Sequence, residues 1–212
     1  MRARLPVPPR GELLPRWAWF ALGLAALGWA FSPRPPTPVD PGPGAVAPRP
    51  PVQEDVRGTP PARIGDFAIT PLHSFRVEAR VLSREDYRFG TEAELSPTDL
   101  ALGWGRMSDS AVLAGLDISQ GGRFFYYRWG PEGPPIPQAE IIRSASNMHL
   151  VPADETVADA LARVRPGQVV DFEGWLVRAD RADGWRWVSS TRRDDSGAGA
   201  CELVVVSRLV AR

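Results

Sequence analysis

The sequence predicts a mainly β (α+β) domain, a small β-barrel with two to four short helices, preceded by one transmembrane helix and a disordered proline-rich stalk. Three observations predict it. Residues 17–32 carry no charge. Residues 33–61 include eleven prolines and almost no large apolar side chains. Residues 62–212 alternate apolar and polar side chains over short runs that end at glycine, proline and aspartate turn signals.

The N-terminal tail, residues 1–16, holds Arg2, Arg4, Arg10 and Arg16, whereas Arg34 alone follows the uncharged run within fifteen residues. The positive-inside rule then puts the tail in the cytoplasm and residues 62–212 outside, in the periplasm of a Gram-negative host. At 1.5 Å per residue, residues 17–32 extend about 24 Å. That falls short of the ~30 Å hydrocarbon core, so spanning draws on local thinning or on snorkelling by Arg16 and Arg34. Trp17, Trp19 and Trp29 stand near the two ends, where interfacial rings belong. The expected partner of this run is the lipid bilayer of the inner membrane, which it crosses once as a signal-anchor. Gly28 and Ala30 also fit a cleavage pattern, so secretion after cutting near Ala30 is the alternative.

Residues 33–61 bury too little side-chain area to offset the entropy of ordering them, so they are expected to form an unpacked linker. Within residues 62–212, Phe75, Val77, Ala79 and Val81 alternate with Arg76, Glu78 and Arg80, the pattern of a half-buried strand. Ser96, Pro97 and Asp99 supply a helix-start signature and predict a short helix ending near Gly103 or Gly105. A second short helix is expected from Ser108 or Asp109 to Gly115, and a strand through the aromatic run 123–129. Asp154 caps a helix whose apolar stripe is Val157, Leu161 and Val164, and Arg165, Pro166 and Gly167 end it. Three strands follow: residues 168–178, 185–191 and 200–210. The turn 180–184 joins the first two, and a polar glycine-rich loop, 192–199, leads into the third. Trp185, Trp187 and Ser189 share one side of the middle strand.

The segment 164–177 leads from a turn into a strand with a mid-strand glycine, Gly174, and resembles an OB-type barrel. From about Tyr87 to Val206 the chain also resembles a family of bacterial membrane-anchored proteins. The runs LGWGRMSD (102–109), SNMHLVPA (146–153) and GAGACE (197–202) carry the likeness. That family has no assigned activity, so the resemblance implies location and the unity of the domain alone.

Chemistry is sparse. Residues 62–212 hold eighteen arginines against twenty-one acids and no lysine, which argues against a nucleic-acid partner. One cysteine, Cys201, excludes an intrachain disulfide and a multi-cysteine metal site. His73 and His149 with scattered carboxylates match no metal-ligand spacing, so neither metal nor cofactor is expected. The glycine-rich loop precedes a strand, whereas a phosphate loop leads into a helix. The candidate ligand-binding residues are Trp104, Asn147, His149, Arg192 and Asp194; no catalytic set is assigned. The bland account makes His149 a hydrogen-bonded structural residue and Cys201 a strand residue. The expected function is a membrane-tethered extracytoplasmic module that binds an envelope protein or glycan. The alternative is an extracytoplasmic hydrolase using His149 with a carboxylate such as Asp194. Third stands an OB-type binder of oligonucleotide or oligosaccharide.

Overall fold

A computed structural model describes residues 17–19, 37–56, 62–192, 194, 197 and 200–212. Contacts divide the chain into residues 1–35 and residues 36–212. In the first unit Trp17, Ala18 and Trp19 are helical, and the rest of the expected anchor lies outside the described residues. No described helix is long and apolar enough to cross a membrane.

The second unit is mainly β. Its strands are β1 (Val52–Asp55), β2 (Ala62–Ile64), β3 (Phe67–Asp86), β4 (Thr98–Gly103), β5 (Asp117–Gly121), β6 (Phe124–Arg128), β7 (Ala145–Pro152), β8 (Val169–Asp180), β9 (Arg186–Val188) and β10 (Glu202–Ala211). Four short helices interrupt them: α1 (Thr91–Leu95), α2 (Ser110–Leu113), α3 (Gln138–Ser144) and α4 (Glu155–Ala162), with a 3-10 turn at Gly105–Ser108.

Five strands close on themselves in the order β3, β4, β7, β10, β8 and back to β3. All ring pairs are antiparallel except β7 with β10, where Glu202 sits beside Met148 and Leu203 beside His149. Within the ring the 20-residue β3 serves two neighbours, β8 along residues 68–80 and β4 along residues 80–86, with irregularities at Pro71/His73 and Val81/Ser83. Such bulges raise local twist and let one strand turn a corner. Inside the ring, Phe75, Val77, Leu100, Leu102, Met148 and Phe172 meet Val157 and Leu161 from α4. Asp154 caps that helix as expected, its Oδ1 accepting from the Val157 amide at 2.9 Å. The mid-strand glycine has a specific cause: a Cβ on Gly174 would collide with the Val205 carbonyl of β10.

Two expectations are corrected. Residues 98–103 are β4, and the nearby helix is α1, five residues long and entered from Gly90 without a side-chain cap. All six β4 residues are buried, so both faces are covered and the local helix grammar is overridden. Ser96, expected to cap, donates its hydroxyl to the Leu150 carbonyl at 3.1 Å instead.

The linker expected to be disordered is packed along residues 37–56. The Val39 amide donates to Pro166 O at 2.8 Å, the Gly105 amide to Ala47 O at 2.9 Å, and the Ala47 amide to Ser108 Oγ at 3.1 Å. Ala47 is wholly buried, and β1 joins β3 antiparallel. These residues offer little side-chain area to bury, and the strap is held by its backbone groups instead. Its prolines lower the entropy lost on docking because their φ is already fixed.

Candidate functional site

The ring's alternation decides which side chains reach its outer surface. Leu100 and Leu102 of β4, and Met148 and Leu150 of β7, point inward, so Asp99, Asn147 and His149 stand on the outer face. Register places Asp99 directly opposite His149. Over this face lie the β5–β6 hairpin, which forms its own two-stranded sheet, and β9, which extends from β8.

Asp99 is completely buried and His149 is 3% exposed. Nδ1 of His149 lies 2.9 Å from Oδ1 of Asp99, close enough for an ion pair yet outside hydrogen-bond alignment. The same Oδ1 accepts from Nη1 of Arg123 at 2.7 Å, and Oδ2 accepts from Nδ2 of Asn147 at 3.3 Å. Gln120 donates to Asn147 Oδ1 at 2.7 Å. The guanidinium of Arg123 lies 3.7 Å from the Tyr87 ring centre and 5.5 Å from that of Trp187, and the Trp187 ring sits 4.6 Å from His149. Burial pushes the Tyr87 phenol above its ordinary range; a hydrogen bond from the Arg123 amide opposes this and the Asp99 charge adds to it.

Arg123 occupies a demanding position. Gly122 and Arg123, with φ of 59° and 72°, form the two-residue turn between β5 and β6. Positive φ at both central positions marks a type I′ hairpin turn, in which glycine is preferred at the second. An arginine there costs about 1 kcal/mol or more of backbone strain. It is the one non-glycine residue at positive φ among the described residues. Its backbone is engaged too: the amide donates to Tyr87 Oη at 3.0 Å, and its carbonyl accepts from Asn147 Nδ2 at 3.0 Å and from Cys201 Sγ at 3.8 Å.

Beside this cluster a cavity of about 300 Å³ is walled by Phe124, Phe125, Tyr126 and Tyr127, with Ser146, Asn147 and Cys201 among its polar contacts. The structure thus brings Asn147 and His149 into one network. Trp104 is buried and, with Arg192, Ser146 and Glu202, lines a separate void of about 20 Å³. The Ser146 hydroxyl bonds Glu202, which is buried. Asp194 pairs with Arg192 at 3.1 Å on the surface, both side chains well exposed. Trp185 and Trp187 share a face, as their parity predicts, and pack on a second apolar cluster around Phe67 and Val177.

Sequence reasoning missed Asp99, Arg123, Tyr87 and Gln120. A usable signal existed for Asp99: a carboxylate next to Leu100 and Leu102 sits on the opposite face once residues 98–103 are read as a strand. Among the described residues no three His, Cys, Asp or Glu side chains converge as a metal site. Chemically, the arrangement seats a guanidinium between two aromatic rings on a buried carboxylate, next to an aromatic-walled recess. Comparison with protein-family models, curated proteins and solved structures finds no match.

Proposed function

We propose that residues 62–212 are an OB-type binding module of the bacterial cell envelope, tethered to the inner membrane through residues 17–32 and recognising a protein, glycan or small polar ligand. The ring order supports the fold: α4 lies between the third and fourth ring strands, and the third and fifth pair parallel. OB barrels bind on the face of their second and third strands and with the loops after the first and fourth. Those strands correspond here to β4 and β7, and those loops to 87–97 and 181–201. The uncharged run and its flanking arginines support the tether.

The cavity of about 300 Å³ carries the reading. It is lined by Ser146 and Asn147 of β7 together with four aromatic residues of the hairpin, largely apolar walls with a few convergent polar groups, the usual make-up of a small ligand site. The test is titration of the purified full-length chain with a peptidoglycan disaccharide-peptide, a set of short peptides and a short oligothymidylate. Binding of one class is expected, abolished by Ala200→Trp, which fills the cavity, with no change in melting temperature. Absence of binding to all three classes refutes the module.

A hydrolase built on His149 is the second reading, and one observation favours it: the buried carboxylate of Asp99 stands 2.9 Å from Nδ1. Hydrolysis of an ester, amide or glycoside by the wild type, lost in a folded His149→Ala variant, would support it; no turnover by the wild type ends it.

A further inference from the structure

We infer that Asp99, Tyr87 and Trp187 form a guanidinium receptor that Arg123 occupies in cis, and that an arginine-bearing peptide segment of a partner binds by displacing the tip of the β5–β6 hairpin. The inference rests on the binding-module reading and names its ligand class.

Four observations lead there. The box has the parts that select arginine: a wholly buried carboxylate at 2.7 Å and aromatic faces at 3.7 and 5.5 Å. A planar, weakly hydrated guanidinium stacks on rings while bonding a carboxylate, whereas a compact ammonium has no plane to stack and holds its water more tightly. The occupant is held in a strained backbone conformation, φ 72°, that a glycine would adopt freely, so release relaxes the turn. The hairpin is hydrogen-bonded to no ring strand through its backbone ladder, so its tip lifts without breaking the barrel. Its base is secured by apolar contacts instead, with Leu116, Tyr127 and Trp129 packed around Met107, Ile136 and Ile141.

Exposed aromatic side chains flank the box. Phe89 follows Tyr87 by two residues and is 92% exposed, and Phe124, next to Arg123, and Tyr126 are also exposed. They offer apolar surface to the residues flanking a docked arginine. The acidic surplus of residues 62–212 complements a cationic segment. Arg123, tethered by its own turn, acts at an effective concentration on the order of millimolar, so a free arginine competes poorly against it. Removing it exposes the intrinsic affinity.

The experiment uses the full-length chain as wild type, Arg123→Gly and Arg123→Gly/Asp99→Asn. Each is titrated calorimetrically with N-acetyl-arginine amide, its lysine counterpart, and a nine-residue peptide with a central arginine. Arg123→Gly is expected to bind the arginine probe about tenfold or more tighter than wild type. The lysine probe and the double variant should each lose that gain. In the wild type, the arginine peptide should speed amide hydrogen exchange at residues 121–124. A folded Arg123→Gly that binds arginine no better than wild type overturns the inference. Should that variant not fold, unchanged exchange at the wild-type hairpin tip under saturating peptide overturns it alone. Wild type that binds disaccharide-peptide or oligothymidylate but not the arginine peptide, with Arg123→Gly gaining no affinity for the arginine probe, defeats the receptor and leaves the binding module standing.

Discussion

Nη1 of Arg123 and Oδ1 of Asp99 lie 2.7 Å apart, joining a hairpin tip to a ring strand across 24 positions of sequence. The carboxylate is fully buried and the guanidinium side chain only 15% exposed. Removing one partner of such a pair leaves an uncompensated buried charge, at about 3–5 kcal/mol. Asp99→Asn is therefore expected to lower the melting temperature by roughly 10 °C for a chain of this size. Urea denaturation and a thermal scan check it; a variant as stable as wild type would show that the pair contributes nothing.

Gly174 predicts a steric failure. Its missing Cβ is what lets β8 approach β10, since a methyl there would meet the Val205 carbonyl. Gly174→Ala should cost about 3 kcal/mol or more, because the obstruction is backbone and has no rotamer to move. The measurement is the urea midpoint at unchanged slope.

Ala47 tests the strap. It is wholly buried, with its amide and carbonyl both bonded to residues 105–108. Ala47→Leu is expected to destabilise the docked strap by about 1–3 kcal/mol through overpacking. Limited proteolysis should then cut within residues 37–56 faster than in wild type while the ring stays resistant.

Glu78 gives a pH dependence. The hydrogen bond from Arg212 holds its carboxyl below the usual range; burial opposes this, and the charges of Arg212 and Arg49 add to it. A lowered folded value means that its contribution is complete above about pH 4.3, the unfolded value for glutamate, and is lost as pH falls through the folded value. Urea midpoints compared at pH 6 and pH 3 should fall more for wild type than for Glu78→Gln. Equal falls would assign the acid sensitivity elsewhere.

Local grammar made part of this fold legible. Asp154 bonds the Val157 amide and Val157 and Leu161 face the ring, because a cap and a stripe need only neighbouring residues. Asp99 was hidden by its neighbours: Ser96 and Pro97 mimic a helix start, and only the partners β3 and β7 make residues 98–103 a strand. The strap was illegible because its energetics lie in backbone bonds to residues 105–108 and 166. Arg123 was equally silent, since nothing in a Gly-Gly-Arg turn states which distant carboxylate it will meet. His149 and Asn147 were singled out from their own run, but the network joining them runs through Asp99.

β10 is the last strand in the chain, yet it fills the gap between β7 and β8. Until it is in place, β7 lacks a partner along residues 148–152 and β8 along residues 170–176. Closure of the ring therefore waits on β10, and the sheet stays open and aggregation-prone until that strand docks. A chain lacking β10 would be left with its seam unsewn.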